Sequence, residues 1–210
     1  MSSTRQLPSD HAPLLNYRPV AVAVLCGIPL LAQMLAASLE QNGLCVDLKA
    51  AVVLLIDAPL GFAMAMLGDY AIRTRHTVVT TANRCPEYWH NLSDMGAQIV
   101  IADENANYPL EDVLHHAALG ARYRVTPHDA TALTATERQA LHLLACGCSS
   151  QQIAKKLSKS GQSIRNMLTP LYRKLGVADR NEAQNYYWGI WPAIIQTMTN
   201  DDGCERPRPE

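Results

Sequence analysis

From Pro19 to Leu119, short apolar runs alternate with helically spaced apolar positions. Val20 to Leu25 and Val52 to Ile56 are continuous and largely β-branched, as strands buried on both faces of a parallel sheet are. His76 to Thr81 and Gln98 to Ala102 read as two further strands. Between them lie predicted helices at Leu30 to Gln41, stopped by Asn42-Gly43, at Pro86 to Gly96, and at Pro109 to Leu119. Strands and helices alternating in short units predict an α/β domain over residues 19–121, with helices on both faces of a parallel sheet. Residues 1–18, polar and carrying Pro8 and Pro13, read as a disordered arm. Arg122 to Thr131, with Pro127, reads as a short linker.

After the linker the period changes to that of helices alone. Thr134 with Glu137 and Ser149 with Gln152 have the spacing of capping boxes, each opening a short amphipathic helix. Ser160 suits the cap of a third helix, in which Ile164, Leu168, Leu171 and Leu175 form one apolar face. Asp179 and Glu182 mark a fourth start. Four such helices bury a core only by sharing it. The second and third, joined by Leu157 to Ser160, form a helix-turn-helix within residues 132–191. Residues 192–210 are left as a tail that runs from apolar to polar.

Opposite its leucines the third helix carries Gln162, Arg165, Asn166, Thr169 and Arg173. Arginine pairs with guanine edges and asparagine with adenine in the major groove, which admits one helix. The periodicity alone fits that use and an ordinary solvated face equally well.

Charge shifts the balance. The 210 residues hold 18 Lys/Arg and 19 Asp/Glu, a net −1. Residues 132–191 hold eight Lys/Arg against three Asp/Glu, a local +5, whereas residues 1–131 hold eight against twelve, a local −4. A basic block joined to an acidic partner suits a DNA-binding module on a control domain. No apolar run approaches the ~20 residues of a membrane span, and the start lacks a signal-peptide pattern, so a cytoplasmic protein is expected. The six cysteines have no zinc or thioredoxin spacing and read as reduced, mostly buried thiols. His90, His115 and His116 read as solvated helix residues, and no metal or cofactor is expected. Neither a Gly-rich phosphate loop nor a nucleophile elbow is present, so no enzymatic role is assigned.

The segment LTATERQALHLLACGCSSQQIAKKLSKSGQSIRNMLTPLYRKLGVADRNEA, Leu133 to Ala183, resembles the LuxR-type helix-turn-helix of NarL/FixJ response regulators. Its Leu-Thr-x-x-Glu opening, Ile-Ala-x-x-Leu turn, Tyr-Arg-Lys-Leu-Gly-Val close and Asp-Arg-x-Glu-Ala final start fall in the family's order. The resemblance implies that Arg165, Asn166 and Thr169 read bases, with Gln162 on the same ridge. It places Ser163, Arg173 and Lys174 near phosphates, and makes the helix from Asp179 the one that dimerises on DNA. Two residues depart from the pattern. Met167 stands where a polar residue is frequent. Pro170 lies inside the reading helix, where it removes a hydrogen bond to the Asn166 carbonyl at a cost of roughly 3 kcal/mol and predicts a kink.

The α/β half resembles, more weakly, the flavodoxin-like receiver domain of those regulators. A phosphate-accepting receiver needs an acidic pair for Mg²⁺, an acceptor Asp, a hydroxyl and a Lys. Here Cys26-Gly27 replaces the acidic pair, Ile56 falls at the acceptor position with Asp57 one residue later, and Ala102-Asp103 replaces the Lys. Thr80 or Thr81 is left for the hydroxyl role. The sequence thus predicts a degenerate receiver in which Asp57 is a turn residue rather than an acceptor. Dimerisation, or binding of a small molecule or a protein, would be its remaining work. The faces of Pro86 to Gly96 and Leu110 to Ala118 are the candidate dimer surface, and Tyr186, Tyr187, Trp188 and Trp191 either cap the helical core or widen a dimer interface. The expected protein is a homodimeric, sequence-specific regulator of double-stranded DNA controlled without Asp phosphorylation. The rival is an interaction module that keeps the fold without binding DNA.

Overall fold

The computed structural model describes residues 20–102, 109–127 and 131–190. Six parallel strands, β1 (Ala21–Cys26), β2 (Cys45–Val46), β3 (Val52–Ile56), β4 (His76–Thr80), β5 (Ile99–Ile101) and β6 (Tyr123–Val125), form one sheet in the order β2-β1-β3-β4-β5-β6. Side chains alternate across a strand, so each strand feeds two layers. Val22, Val24, Leu54, Val78 and Ile99 face α1 (Pro29–Gln41) and α5 (Leu110–Ala118). Ala23, Val53, Leu55, Val79 and Val100 face α2 (Phe62–Leu67), α3 (Tyr70–Arg73) and α4 (Pro86–Asp94). This is the doubly covered parallel sheet that the apolar runs predict.

Some expectations change. Tyr123–Val125, inside the expected linker, pairs with β5 through Ile99↔Tyr123 and Ile101↔Val125. Three residues carry too little periodicity to declare a strand, and the pairing partner supplies the order. Residues 123–125 therefore belong to the sheet and not to the linker. Helices α2 and α3 and strand β2 went unassigned because each is too short to develop a period. The two helices of the candidate dimer surface, α4 and α5, cover opposite faces of the sheet and both reach its edge strand β6, α4 through Ser93 to Arg124 and α5 through His116 to Tyr123. The expected arm, residues 1–18, and the tail, residues 192–210, lie outside the described residues.

The remaining helices are α6 (Ala135–Ala145), α7 (Ser150–Lys156), α8 (Gly161–Leu175) and α9 (Arg180–Tyr187). Both capping boxes form: the Thr134 and Ser149 side chains accept from the Glu137 and Gln152 amides, and each of those side chains answers the cap's own amide. Ala140, Leu141, Leu144, Ile153, Ile164, Leu168, Leu171 and Ala183 make the shared core. That core does not stop at the domain boundary. It continues through Tyr187 into Tyr88, Trp89 and Leu92 of α4 and on to the sheet, so the two domains are built on one apolar cluster. Among the described residues no helix is long and apolar enough to cross a membrane.

Candidate nucleic-acid interface

The Ser160 hydroxyl caps α8 by accepting the Ser163 amide at 3.0 Å, and Gly176 (φ +67) ends the helix in the left-handed conformation glycine favours. Between these signals α8 runs as one helix of 15 residues across Pro170. The proline leaves the Asn166 carbonyl without its usual donor, but Ile164, Leu168 and Leu171 are buried on either side and hold the segment to the core. The helix is not broken there.

Gln162, Ser163, Arg165, Asn166, Thr169, Arg173 and Lys174 are all exposed. Three of them form a string: Arg165 donates to the Gln162 carbonyl oxygen at 2.9 Å, and the Gln162 amide nitrogen donates to the Asn166 side-chain oxygen at 2.8 Å. This preorganises a polar ridge and lowers the side-chain entropy lost on docking. Two members are committed within the domain. The Ser163 hydroxyl lies 2.8 Å from that of Ser160. Lys174 donates to both Glu137 oxygens, at 2.7 and 2.8 Å, and so braces α8 against the α6 cap. Burial pushes the Glu137 carboxyl up, but its bonds from Lys174 and Thr134 outweigh this and hold it below the usual range. Exposed Lys155, Lys156 and Lys159 flank the ridge from the end of α7 and the turn. They lie outside the ridge that the helical period singles out, although three lysines beside a helix-turn-helix turn are a signal visible in the sequence.

Behind the ridge, the end of α9 is held by the sheet domain. Tyr187 is fully buried. Its hydroxyl accepts the Asn91 amide at 2.9 Å and lies 3.0 Å from His142 Nδ1, and its carbonyl accepts Asn83 at 3.1 Å. Tyr186 donates to Glu87 at 2.8 Å, and Thr131 donates to the other Glu87 oxygen at 2.6 Å. Glu87 is buried in the first turn of α4, where the helix dipole favours a carboxylate. The Trp188 ring packs against Gly61, and a Cβ on Gly189 (φ +72) would meet Asn83 at 2.9 Å. The aromatic stretch thus joins the two domains, a role the sequence did not indicate.

His142 belongs to this junction. Burial first, and then the Lys156 charge, depress its pKa below 6.5. A depressed histidine binds its proton more readily when unfolded, so stability is full above the ordinary value and falls as pH drops through it toward the folded value. Urea unfolding from pH 7.5 down to pH 5 should show this loss, and a His142→Gln chain should show less of it. Equal slopes for the two chains would remove His142 as the cause.

Asp57 follows β3 directly and is 7% exposed. Its Oδ1 accepts the Gly61 and Ala63 amides at 2.9 and 3.0 Å, while its Oδ2 accepts Thr81 and Tyr88 hydroxyls at 2.8 and 2.7 Å. Four donors fill the four lone-pair positions of a carboxylate. The Thr81 hydroxyl, one of the two left for the hydroxyl role, donates to Asp57 itself. Cys26 donates to the Ala58 carbonyl at 3.3 Å. Among the described residues Asp57 is the one charged side chain lining the recess at the C-terminal ends of β3, β4 and β5, and Asp103 lies outside the described residues.

Two smaller expectations are corrected. Of the described cysteines only Cys85 is buried, and Cys45 and Cys146 are exposed. His90, His115 and His116 are half-buried rather than solvated, with His116 Nδ1 3.2 Å from the Tyr123 hydroxyl.

The two-domain architecture is thus a receiver-like parallel-sheet domain followed by a capped helix-turn-helix with an exposed polar ridge. Residues 131–187 match the model of the bacterial regulatory proteins of the luxR family. The HTH-type transcriptional regulators MalT of Vibrio campbellii and Vibrio parahaemolyticus are each 35% identical over 74 residues, 35% of this chain. The chain spans only 8% of their length. Across both domains the fold is similar to RcsB from Salmonella enterica serovar Typhimurium in two structures bound to promoters. One has a TM-score of 0.52 at 20% identity, covering 80% of this chain and 98% of the other. The second has a TM-score of 0.51 at 20% identity, covering 82% and 100%.

Proposed function

We propose that the protein is a sequence-specific DNA-binding transcription regulator whose control does not pass through phosphorylation of Asp57. The observation that carries the first half is the open Gln162–Arg165–Asn166 string on α8, in a segment that matches the luxR family. Arg165, Asn166 and Thr169 read bases, Gln162 fixes the first two, and Arg173 meets phosphate. Ser163 and Lys174, already engaged within the domain, contribute mainly by holding α8. Lys155, Lys156 and Lys159 add a second row of phosphate contacts. The relatives carry transcriptional regulator in their names, and RcsB is seen on promoter DNA. The protein acts as a homodimer on two half-sites, inside the cytoplasm and without enzymatic activity.

The second half rests on Asp57, whose oxygens are filled by four donors and which has Cys26-Gly27, not a carboxylate pair, opposite it. A small molecule or a protein bound by the receiver-like domain supplies the signal.

Selection of bound duplexes from a random pool, followed by binding at several salt concentrations, tests the reading. The selected site should bind with a steep salt dependence, and Arg165→Ala should lose about 1–3 kcal/mol on it while binding unrelated DNA nearly as before. Acetyl phosphate with Mg²⁺ should leave the affinity unchanged. An Arg165→Ala chain that keeps its site preference would overturn the assignment of the ridge.

A further inference from the structure

The hydrogen bonds along the ridge of α8 have a direction, and that direction decides what the ridge can read. A guanidinium donates and never accepts. The Gln162 atom 2.9 Å from Arg165 Nη2 is therefore its carbonyl oxygen, which leaves its NH₂ group for Asn166. An NH₂ donates, so the Asn166 atom 2.8 Å away is in turn the oxygen Oδ1. Arg165 thus fixes the orientation of both amides. Turning the Asn166 amide over would set NH₂ against NH₂. Turning Gln162 over to relieve that would set its own NH₂ against the guanidinium.

The string leaves the ridge rich in donors. Each amide oxygen already accepts one bond within it, while the Asn166 NH₂ and the other Arg165 N–H groups make none there. Arg165 leans toward the start of the helix: a Cβ on Gly161, the first residue of α8, would lie 3.8 Å from its Nη1. That is the end of the second helix that a helix-turn-helix presents to base edges. Nothing nearby restores the balance, because no Asp or Glu occurs between Glu137 and Asp179.

We infer that Asn166 reads guanine rather than the adenine that asparagine ordinarily takes, and that Gln162 is the positioning residue that sets this choice. The inference rests on α8 being the DNA-reading helix, as proposed above. In the major groove guanine offers two acceptors, O6 and N7, whereas adenine offers N7 beside an N6 donor. Asparagine takes adenine by donating to N7 while its oxygen accepts from N6. Here that oxygen is held by Gln162 and the NH₂ leads, so N6 would meet it donor to donor. In solution these exposed bonds exchange with water. In the groove water is withdrawn, and a bond broken there is not replaced. Guanine leaves the string whole; adenine breaks it.

Duplexes selected from a random pool by the full chain provide the test. The base pair facing Asn166 is the one whose preference Asn166→Ala flattens, and guanine and adenine are compared there in three chains. The parent should favour guanine about tenfold, within the range that one well-matched base contact carries. Gln162→Ala frees Asn166 to turn, and the ratio should fall toward unity. Gln162→Glu has acceptors only, so it keeps Arg165 but draws in the Asn166 NH₂ and turns the Asn166 oxygen outward. The ratio should then invert in favour of adenine, a change of at least about tenfold. Each ratio compares two duplexes on one chain, so a general loss of affinity cancels. A parent that favours adenine overturns the inference, as does a ratio unmoved by Gln162→Glu or an Asn166→Ala chain that flattens no position. A chain that selects no site, or whose site preference survives Arg165→Ala, sinks the DNA reading itself and this inference with it. A selected site that depends on Arg165 but ignores Gln162 sinks this inference alone.

Discussion

Replacing Asp57 with alanine should lower the unfolding free energy by about 3–5 kcal/mol, the scale of breaking a buried, fully bonded ionic group. Two backbone amides and two hydroxyls, from Gly61, Ala63, Thr81 and Tyr88, lose their acceptor together. The two hydroxyls arrive from the end of β4 and from α4, so the damage extends beyond one turn. Burial first, and then the Asp57 charge and its hydrogen bond, push the Tyr88 phenol far above its ordinary value, which keeps it a donor across the working pH range. Asp57→Asn should cost less than alanine, since one oxygen remains to accept while the new NH₂ faces donors. Urea denaturation of the three chains measures the order. A loss below about 1 kcal/mol for alanine would mean that the carboxylate is solvated, and Asp57 would return as a candidate acceptor.

The second large effect belongs to Tyr187. Tyr187→Ala should cost about 3–5 kcal/mol, as large aromatic truncations do, and should also uncouple the domains. The ring packs edge-on against Tyr88 (5.5 Å) and Trp188 (5.4 Å) and lies 5.7 Å from His142. Removing it opens a cavity where the apolar cluster narrows between α4 and α9. We expect calorimetry to resolve two transitions in the variant where the parent shows one. Tyr187→Phe should keep the packing and the single transition, losing about 1–2 kcal/mol because Asn91 and His142 are left without the hydroxyl. A single, unshifted transition in Tyr187→Ala would show that the domains are not joined through this residue.

These effects bear on regulation. Arg138 reaches Asp94 at 3.0 Å across the same boundary, and Glu87 collects hydroxyls from the linker and from α9. The sheet domain therefore holds the helix-turn-helix by its first and last helices and leaves α8 exposed. Any displacement of α4 would pull on both grips, because Asp57 holds α4 through Tyr88 and α4 holds α9 through Asn91.

Local pattern alone determined the strands β1, β3 and β4, the helices α6 to α9 and their caps, since each is written in contiguous residues with a period of two or 3.6. It also determined which side of α8 is polar, because the buried leucines fix the opposite side. Cys26-Gly27 in place of a carboxylate pair was legible too, as a missing residue type needs no geometry to be noticed. Tertiary structure decided the rest. The bonds of Asp57 to Thr81 and Tyr88 span 24 and 31 positions, and those joining Tyr186 and Tyr187 to Glu87 and Asn83 span 99 and 104. No window of sequence contains both partners of such a pair. Strand β6 was hidden for the same reason, its order coming from β5 and not from its own three residues. Short-range periodicity tells which face is apolar, and only the folded chain settles what that face meets.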